Sequence, residues 1–210
     1  MRKSGWLLIS ILMMTTLACS TLSRSGEQEQ TPVIESLSAT EDVPTEQSKP
    51  TVLAETEPPS EPDVQWGAIA YASTEYGNPD WSAGQATGAP DTSECGDYTT
   101  AWAASGSNSP DDWLEVHYAK PMFAEEIRIY ETYNPGSIVK VEVITVVADY
   151  ITVWEGDPEA SGECPRVFSV PVEGIEAPIT GVRLTLDQSV IGDWNEIDAV
   201  QLVGTFAPEG

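Results

Sequence analysis

From Asp63 onward, short runs of alternating apolar and polar residues recur, separated by Gly, Pro, Asn and Asp. Alternation with a period of two places successive side chains on opposite faces of a β-strand. The run Trp113–Tyr118, for example, sends three apolar side chains to one face, and Glu115 and His117 to the other. No segment shows a sustained helical period with capping residues. The pattern therefore predicts an all-β domain.

About eight short strands are predicted, and they cover residues 68–72, 113–118, 126–130, 138–147, 151–154, 167–172, 182–186 and 197–203. The last run alternates less regularly than the others, which suggests a β-bulge. Asn134-Pro135-Gly136 lies between two of the runs and is a strong turn signal. This number of short strands in a segment of this length predicts an antiparallel β-sandwich.

The first 62 residues differ in composition from the rest of the chain. Residues 1–18 contain Arg2, Lys3 and an almost continuously apolar run of 12 residues, which is typical of a signal peptide and too short for a membrane span. In residues 19–62, Ser, Thr, Pro, Asp and Glu predominate and no aromatic residue occurs. Such a segment buries too little apolar surface to fold, so we predict a disordered acidic tether. Residues 63–210 are then the folded domain.

The sequence Thr16-Leu17-Ala18-Cys19 directly follows the apolar run. It resembles the lipobox of bacterial lipoproteins, in which a diacylglycerol is attached to the cysteine and the preceding peptide is removed. The resemblance implies an exported protein, anchored to a bacterial membrane by lipid on Cys19, with its domain on the extracellular or periplasmic side. Two or three acyl chains give a stable anchor, whereas one gives only marginal binding. The alternative is an ordinary signal peptide, cut after Ala18, with Cys19 incidental.

The domain is strongly acidic, since residues 63–210 contain 25 Asp or Glu and five Lys or Arg. Such a charge repels phosphate backbones and anionic lipid headgroups, which argues against nucleic acid and direct membrane docking. It is compatible with cations, including calcium, and with neutral ligands such as sugars. Most of these carboxylates can equally serve solubility alone.

Of the three cysteines, Cys19 is the candidate lipidation site and the other two lie in the folded domain. If Cys19 carries lipid, Cys95 and Cys164 remain as an even pair in an oxidising compartment, and we expect them to form a disulfide. Both lie in loops rich in turn residues. A metal site is less well supported, because neither a histidine nor another cysteine stands near either residue in the sequence.

Four segments carry a resemblance to a known fold: Ala86-Thr87-Gly88-Ala89-Pro90-Asp91, Trp113-Leu114-Glu115-Val116, residues 129–136 and residues 194–200. They resemble discoidin-like, galactose-binding-like jelly rolls, and most closely the N-terminal β-sandwich of the mitochondrial F-box/leucine-rich-repeat proteins. That family has a similar Glu-Thr-Tyr-x-Pro-Gly turn, a similar terminal Asp-Ala-Val strand and cysteines in comparable loops. The resemblance covers nearly all of residues 65–205 and implies a jelly-roll β-sandwich. It does not specify the ligand, because this fold hosts sugar, lipid and protein binders alike.

A calcium site follows from a second resemblance. Residues 96–102 (Gly-Asp-Tyr-Thr-Thr-Ala-Trp) resemble the loop before the first core strand of sugar-binding modules in this fold. In those modules the loop and a glutamate from the last strand often hold a structural calcium ion, and Asp97, Thr100 and Glu196 are the matching positions. In the alternative interpretation, Thr99 and Thr100 are turn and strand residues and Glu196 is hydrogen-bonded to a neighbouring loop.

The sequence gives little support for a catalytic site. The single histidine, His117, falls on the polar face of a predicted strand, so a Ser-His-Asp or Cys-His arrangement has no obvious base. Carboxylate pairs such as Asp111 with Asp112, or Asp193 with Glu196, suit glycoside hydrolysis in principle but do not stand out among so many acids. We therefore expect a non-catalytic domain, with a glycan-acting enzyme as an alternative.

Aromatic residues in loops are candidate ligand contacts, because sugars stack on aromatic rings while polar side chains bind their hydroxyls. We predict a ligand site formed by Trp81, Tyr133, Asn134 and Trp194, and Tyr76 is a further loop aromatic. The sequence thus favours a monomeric, surface-anchored carbohydrate-binding module.

Two other interpretations of the aromatic residues are open. Tryptophans in such sandwiches often plug one end of the core, a role that we expect for Trp102 and Trp113. A protein-interaction or adhesion module of the cell envelope is the alternative function, and it predicts a flat apolar patch in place of an aromatic cleft.

Overall fold

The computed structural model describes residues 61–208 of the 210-residue chain. The predictions of a signal peptide and of lipid on Cys19, and nearly all of the predicted tether, lie outside the described residues. Within residues 61–208, no helix combines the length and the hydrophobicity that crossing a bilayer requires.

Eight β-strands occur within the described residues, and their pairings are antiparallel. They are β1 (Asp63–Trp66), β2 (Ile69–Ala72), β3 (Asp112–Tyr133), β4 (Ile138–Thr145), β5 (Tyr150–Glu155), β6 (Arg166–Pro171), β7 (Ile179–Leu186) and β8 (Glu196–Phe206). A 3₁₀ turn, Ala83–Ala86, lies in the long loop between β2 and β3. The predicted all-β class and strand number are confirmed.

The strands form two layers that share the long strand β3. Its first half pairs with β2 and β7, and that layer continues through β4 to β5. Its second half pairs with β6 on one side and β8 on the other, and β1 forms the outer edge beside β8. A register shift between His117 and Met122 marks where β3 passes from one layer to the other. Pro121 lies at this passage, where its missing N–H leaves no ladder hydrogen bond unmade.

The core lies between the layers and follows the predicted alternation. Leu114 and Val116 of β3 are fully buried, whereas Glu115 and His117 point to the outer face and hydrogen-bond to each other. Burial of each large apolar side chain contributes about 1.5–3 kcal/mol. The largest fully buried ones are Trp102, Leu114, Met122, Ile127, Ile129, Ile179, Leu184, Leu186, Ile197 and Leu202.

Most strand boundaries differ from the predictions by a few residues at one end or the other, and two differences change the number or identity of a strand. The runs at 113–118 and 126–130 belong to one continuous strand, because β3 pairs up to His117 in one layer, stays extended through the bend and pairs again from Met122. The short edge strand β1 was not predicted, since its four residues acquire strand geometry from pairing with β8. The irregularity predicted in the last strand is present, since the register with β3 skips Asp198.

The two tryptophans expected to plug the core have different positions. Trp102 is fully buried, as predicted. Trp113 is only half-buried on the outer face of β3, with the Arg183 guanidinium 4.0 Å from its ring centroid. The prediction for Trp113 is therefore wrong, because its position in the alternation places it on the same face as Glu115.

Candidate functional site

The long loop between β2 and β3 covers one end of the sandwich. Its beginning is fixed to β3, since the hydroxyls of Ser73 and Thr74 donate to Asp112 Oδ1 at 2.8 and 2.9 Å. Trp102, a residue of the same loop, is fully buried and donates its indole N–H to the Thr74 carbonyl at 3.1 Å. The backbone of Trp102 also pairs with Ile197 of β8 through two hydrogen bonds. The buried indole thus joins the loop to the core.

Three aromatic side chains converge above this plug. The Tyr76 ring lies between those of Trp81 and Trp194, with centroid separations of 5.3 and 5.4 Å and interplanar angles of 79° and 77°. Edge-to-face contacts of this kind stabilise aromatic clusters. Together with Asp97, Ala103 and Glu196, these rings line a cleft of about 80 Å³, here called the aromatic cleft.

Hydrogen bonds fix the two indole rings of the aromatic cleft. Trp194 Nε1 donates to the Ala104 carbonyl at 2.9 Å, and Trp81 Nε1 donates to Asp97 Oδ1 at 3.0 Å. Trp81 has a left-handed backbone with φ of 53°, a conformation uncommon for a bulky residue. Its N–H donates to Thr99 and its carbonyl accepts from Ala103, so the surrounding loop maintains this conformation. Strained backbone of this kind is concentrated at binding sites.

Two carboxyl groups meet at the aromatic cleft. Glu196, the first residue of β8, is buried, and its Oε2 accepts from the Tyr98 N–H at 3.1 Å. Burial raises the pKa of Glu196 to about 8, the Tyr98 amide opposes this rise, and the adjacent Asp97 carboxyl adds to it. Asp97 itself is exposed. The cleft therefore joins aromatic surface to acceptor groups for hydrogen bonds.

The three residues predicted to bind calcium are only partly brought together. Asp97 and Glu196 are neighbours, but the Thr100 hydroxyl hydrogen-bonds with that of Thr92 at 2.7 Å and does not line the cleft. Among residues 61–208, no group of three or more His, Cys, Asp or Glu side chains is placed to hold a metal ion. Because calcium takes six to eight oxygen ligands, its site would need carbonyls and water beside the two carboxylates.

Only two of the four predicted ligand contacts line the aromatic cleft. Trp81 and Trp194 line the aromatic cleft. Tyr133 lies beside it and donates its hydroxyl to Asp193 Oδ2 at 3.1 Å. Asn134 follows in a left-handed turn with φ of 39°, so its position is explained by backbone geometry. Four lining residues were not among the predicted ligand contacts. Tyr76 was only a further loop aromatic, Asp97 and Glu196 were assigned to calcium, and Ala103 was not predicted at all.

The predicted disulfide between Cys95 and Cys164 is confirmed, with a Cα–Cα distance of 5.1 Å. It links the loop that carries Asp97 to the loop that precedes β6. The Gly96 N–H donates to the Thr132 carbonyl at 3.0 Å and fixes the same loop to the end of β3. The covalent bond and this hydrogen bond position one wall of the aromatic cleft.

Comparison with solved structures identifies the same fold elsewhere. Chitosan-binding module 1 of a chitosanase/glucanase from Paenibacillus sp. IK-5 has a TM-score of 0.50 and 16% identity, covering 65% of this chain and 94% of that one. A selenomethionine-labelled variant of that module has a TM-score of 0.52 and 14% identity, covering 67% and 99%. These similarities confirm the predicted jelly-roll β-sandwich.

Sequence comparison gives a distant relative and a family. F-box/LRR-repeat protein 4 of Bos taurus is 22% identical over an alignment of 103 residues, which covers 44% of this chain and 17% of that protein. The chain thus spans about a sixth of that relative's length. The family model described as "Pappalysin-1, SD scarf domain, C-terminal" matches residues 59–208, most of the chain. The protein therefore belongs to the family of the pappalysin-1 C-terminal SD scarf domain.

Proposed function

We propose that the domain is a non-catalytic carbohydrate-binding module and that a sugar binds in the aromatic cleft. One observation carries the proposal: the fold brings Tyr76, Trp81 and Trp194 together beside two carboxyl groups. The apolar face of a sugar ring packs on aromatic rings, while carboxylate oxygens accept hydrogen bonds from its hydroxyls. Tyr76 is 54% exposed, so its ring is accessible to a ligand.

The charge of the aromatic cleft limits the class of sugar. Its lining, all within the described residues, contains two acidic side chains and no basic one. Even with Glu196 largely protonated near pH 7, this lining offers no cation to a sulfated sugar or a uronate, whereas it accommodates a neutral sugar or one with a protonated amine. The chitosan-binding module from Paenibacillus, which shares the fold, is a precedent for an amine-bearing ligand in this architecture.

Two features of the carboxyl groups support a non-catalytic function over glycoside hydrolysis. Asp112 is buried and accepts hydrogen bonds from Ser73 and Thr74, which leaves its neighbour Asp111 without an opposing carboxylate. Asp193 accepts the Tyr133 hydroxyl and does not line the aromatic cleft with Glu196. The two carboxylates of a glycosidase flank a common cleft, and neither of the two pairs considered from the sequence does so.

The first prediction is that the protein binds glycans and that binding depends on the aromatic cleft. On a glycan array, the full-length protein should bind neutral or amine-bearing glycans and not uronates. Trp194→Ala and Trp81→Ala should each weaken binding about tenfold or more, since each removes an aromatic contact. Trp154→Ala, which removes a half-buried tryptophan of β5 outside the cleft, is the matched control and should leave binding unchanged.

The same array distinguishes the alternatives. If the folded protein bound no glycan, the interpretation as a protein-interaction or adhesion module would replace this one. A calcium ion held by Asp97 and Glu196 remains part of the proposal. Repeating the array with a calcium chelator tests it, since a bound structural ion should make binding sensitive to the chelator.

We further propose that the domain is presented at a bacterial cell surface by lipid on Cys19 and acts as a monomer. The proposal is supported by the apolar run and the Thr16-Leu17-Ala18-Cys19 motif. The second prediction is that a palmitate analogue labels the wild-type protein, whereas Cys19→Ser is unlabelled and leaves the membrane fraction, because its acyl anchor is missing. Equal membrane association of the two proteins would contradict the proposal.

A further inference from the structure

A second concave surface lies over the outer face of the β3–β6 pair. Its floor is formed by Tyr130 and Val167, which face each other in register across the two strands. Pro90 and Pro165 form apolar walls, and Thr92 adds a hydroxyl group. This surface, here called the sheet groove, has a volume of about 320 Å³, within the size range of ligand pockets.

The sheet groove is held in shape by contacts on both sides. The Cys95–Cys164 disulfide links the loops that carry its two walls. The Thr92 N–H donates to Asp198 Oδ2 at 3.1 Å, and the Thr92 hydroxyl pairs with that of Thr100. Because these bonds fix the groove before any ligand arrives, binding there would cost little ordering entropy.

A third depression adjoins the sheet groove and lies on the side toward the aromatic cleft, with which it shares no lining residue. This depression has a volume of about 230 Å³ and shares Asp91, Thr92 and Ser93 with the sheet groove. At its other side it reaches Tyr98, the residue next to Asp97 of the aromatic cleft. The three concavities therefore follow one loop, residues 90–100, from the end of the sandwich to the face of its sheet.

We propose that the sheet groove is a second subsite, which binds further units of the same glycan chain whose end occupies the aromatic cleft. This inference rests on the proposed function and extends it from a single sugar unit to an oligosaccharide. The bound chain would pass along residues 90–100 and place one unit over Tyr130 and Val167.

The lining of the sheet groove matches a sugar chain in its chemistry. The Tyr130 ring and Val167 offer an apolar platform, and Asp91, Thr92 and Ser93 offer polar groups at the rim. Such a combination of apolar floor and polar rim is what sugar rings require.

Anionic ligands are disfavoured in the sheet groove. The Arg166 guanidinium lies in its wall, but its Nε donates to Glu131 Oε2 at 2.6 Å, and Glu131 is fully buried. Asp91 adds an exposed negative charge at the rim. A phosphate or sulfate would therefore find no unpaired cation in this part of the described surface.

The test compares ligand length with calorimetry on the full-length protein, using β-1,4-linked glucosamine oligomers from disaccharide to hexasaccharide. The hexasaccharide should bind about tenfold more tightly than the disaccharide. Val167→Arg, at a position that is 50% exposed, should block the groove and reduce hexasaccharide affinity to that of the disaccharide. Val147→Arg, at a valine that is 71% exposed beyond the end of β4, is the matched control and should change neither affinity.

Tyr130→Ala tests the same subsite a second time and should also reduce hexasaccharide affinity, because it removes the aromatic ring. Tyr130→Phe keeps that ring and should bind the hexasaccharide like the wild type. Equal affinities for all lengths, with Trp194→Ala still abolishing binding, would overturn the second subsite and leave the proposed function intact. If oligomers of every length failed to bind, both the proposed function and the second subsite would be rejected for this polymer. Loss of disaccharide affinity in Val167→Arg would also overturn the inference, because the groove would then not be a separate subsite.

Discussion

Replacing both Cys95 and Cys164 with serine is expected to lower the free energy of unfolding by about 4 kcal/mol. The disulfide closes a loop of 69 sequence positions, and without it the unfolded chain gains the entropy of that open loop. Because domains of this kind are stable by only about 5–15 kcal/mol, the loss is a large fraction of the total. Urea denaturation of the full-length protein, followed by tryptophan fluorescence, measures it.

Cys19→Ser serves as the matched control, because it removes a cysteine and leaves the disulfide intact. Its urea midpoint should equal that of the wild-type domain. Reductant should move the wild-type midpoint to that of the double variant and should leave the double variant unchanged. An unchanged midpoint in the double variant would show that the hydrogen bond from Gly96 to Thr132 and its neighbours suffice to hold the loop.

The faces of the strands could be predicted from the sequence because burial in a sheet alternates residue by residue. The same parity explains the wrong prediction for Trp113, which is odd-numbered like Glu115 and His117 and so lies on their outer face. Trp102 lies outside the strands, so the alternation of strand residues does not predict whether it is buried. Its complete burial depends on contacts with Thr74, at the beginning of its own loop, and with Ile197 of β8.

The length of β3 could not be predicted from local pattern. Lys120-Pro121 resembles an interruption, yet the strand continues because its two halves find partners in different layers. Those partners are distant in the sequence, and pairing with them depends on the whole fold. The edge strand β1 was missed for the same reason, since it is defined by its pairing with β8.

Only part of the candidate site could be predicted, because its residues converge through a long loop. Trp81 and Trp194 were predicted from residue type and loop position alone. That Tyr76 would lie between them, and that Asp97 would accept the Trp81 indole N–H, depends on how the loop packs over Trp102. Sequence spacing has no information on such contacts, so Asp97 was assigned to calcium on resemblance alone.

The stability of the protein should fall as the pH rises from about 5 to about 9, mainly because of Glu196. In the folded protein burial raises the pKa of this carboxyl to about 8, whereas in the unfolded chain it ionises near its ordinary value of 4.5. Between these values the folded state binds more protons than the unfolded state, so the free energy of unfolding decreases with increasing pH. The expected total is on the order of a few kcal/mol.

Glu196→Gln isolates this contribution, because glutamine has nearly the shape of the neutral carboxyl and does not ionise. The variant should match the wild type in thermal stability near pH 5 and exceed it near pH 9. A smaller fall between about pH 4 and 6 should remain in the variant, since burial raises the pKa of Asp198 to about 6. Asp198→Asn should remove that part alone. If Glu196→Gln were less stable than the wild type at alkaline pH, the ionised glutamate would have to be the favoured form. Glu196 would then be paired with a cation at the aromatic cleft, which the chelator experiment would detect.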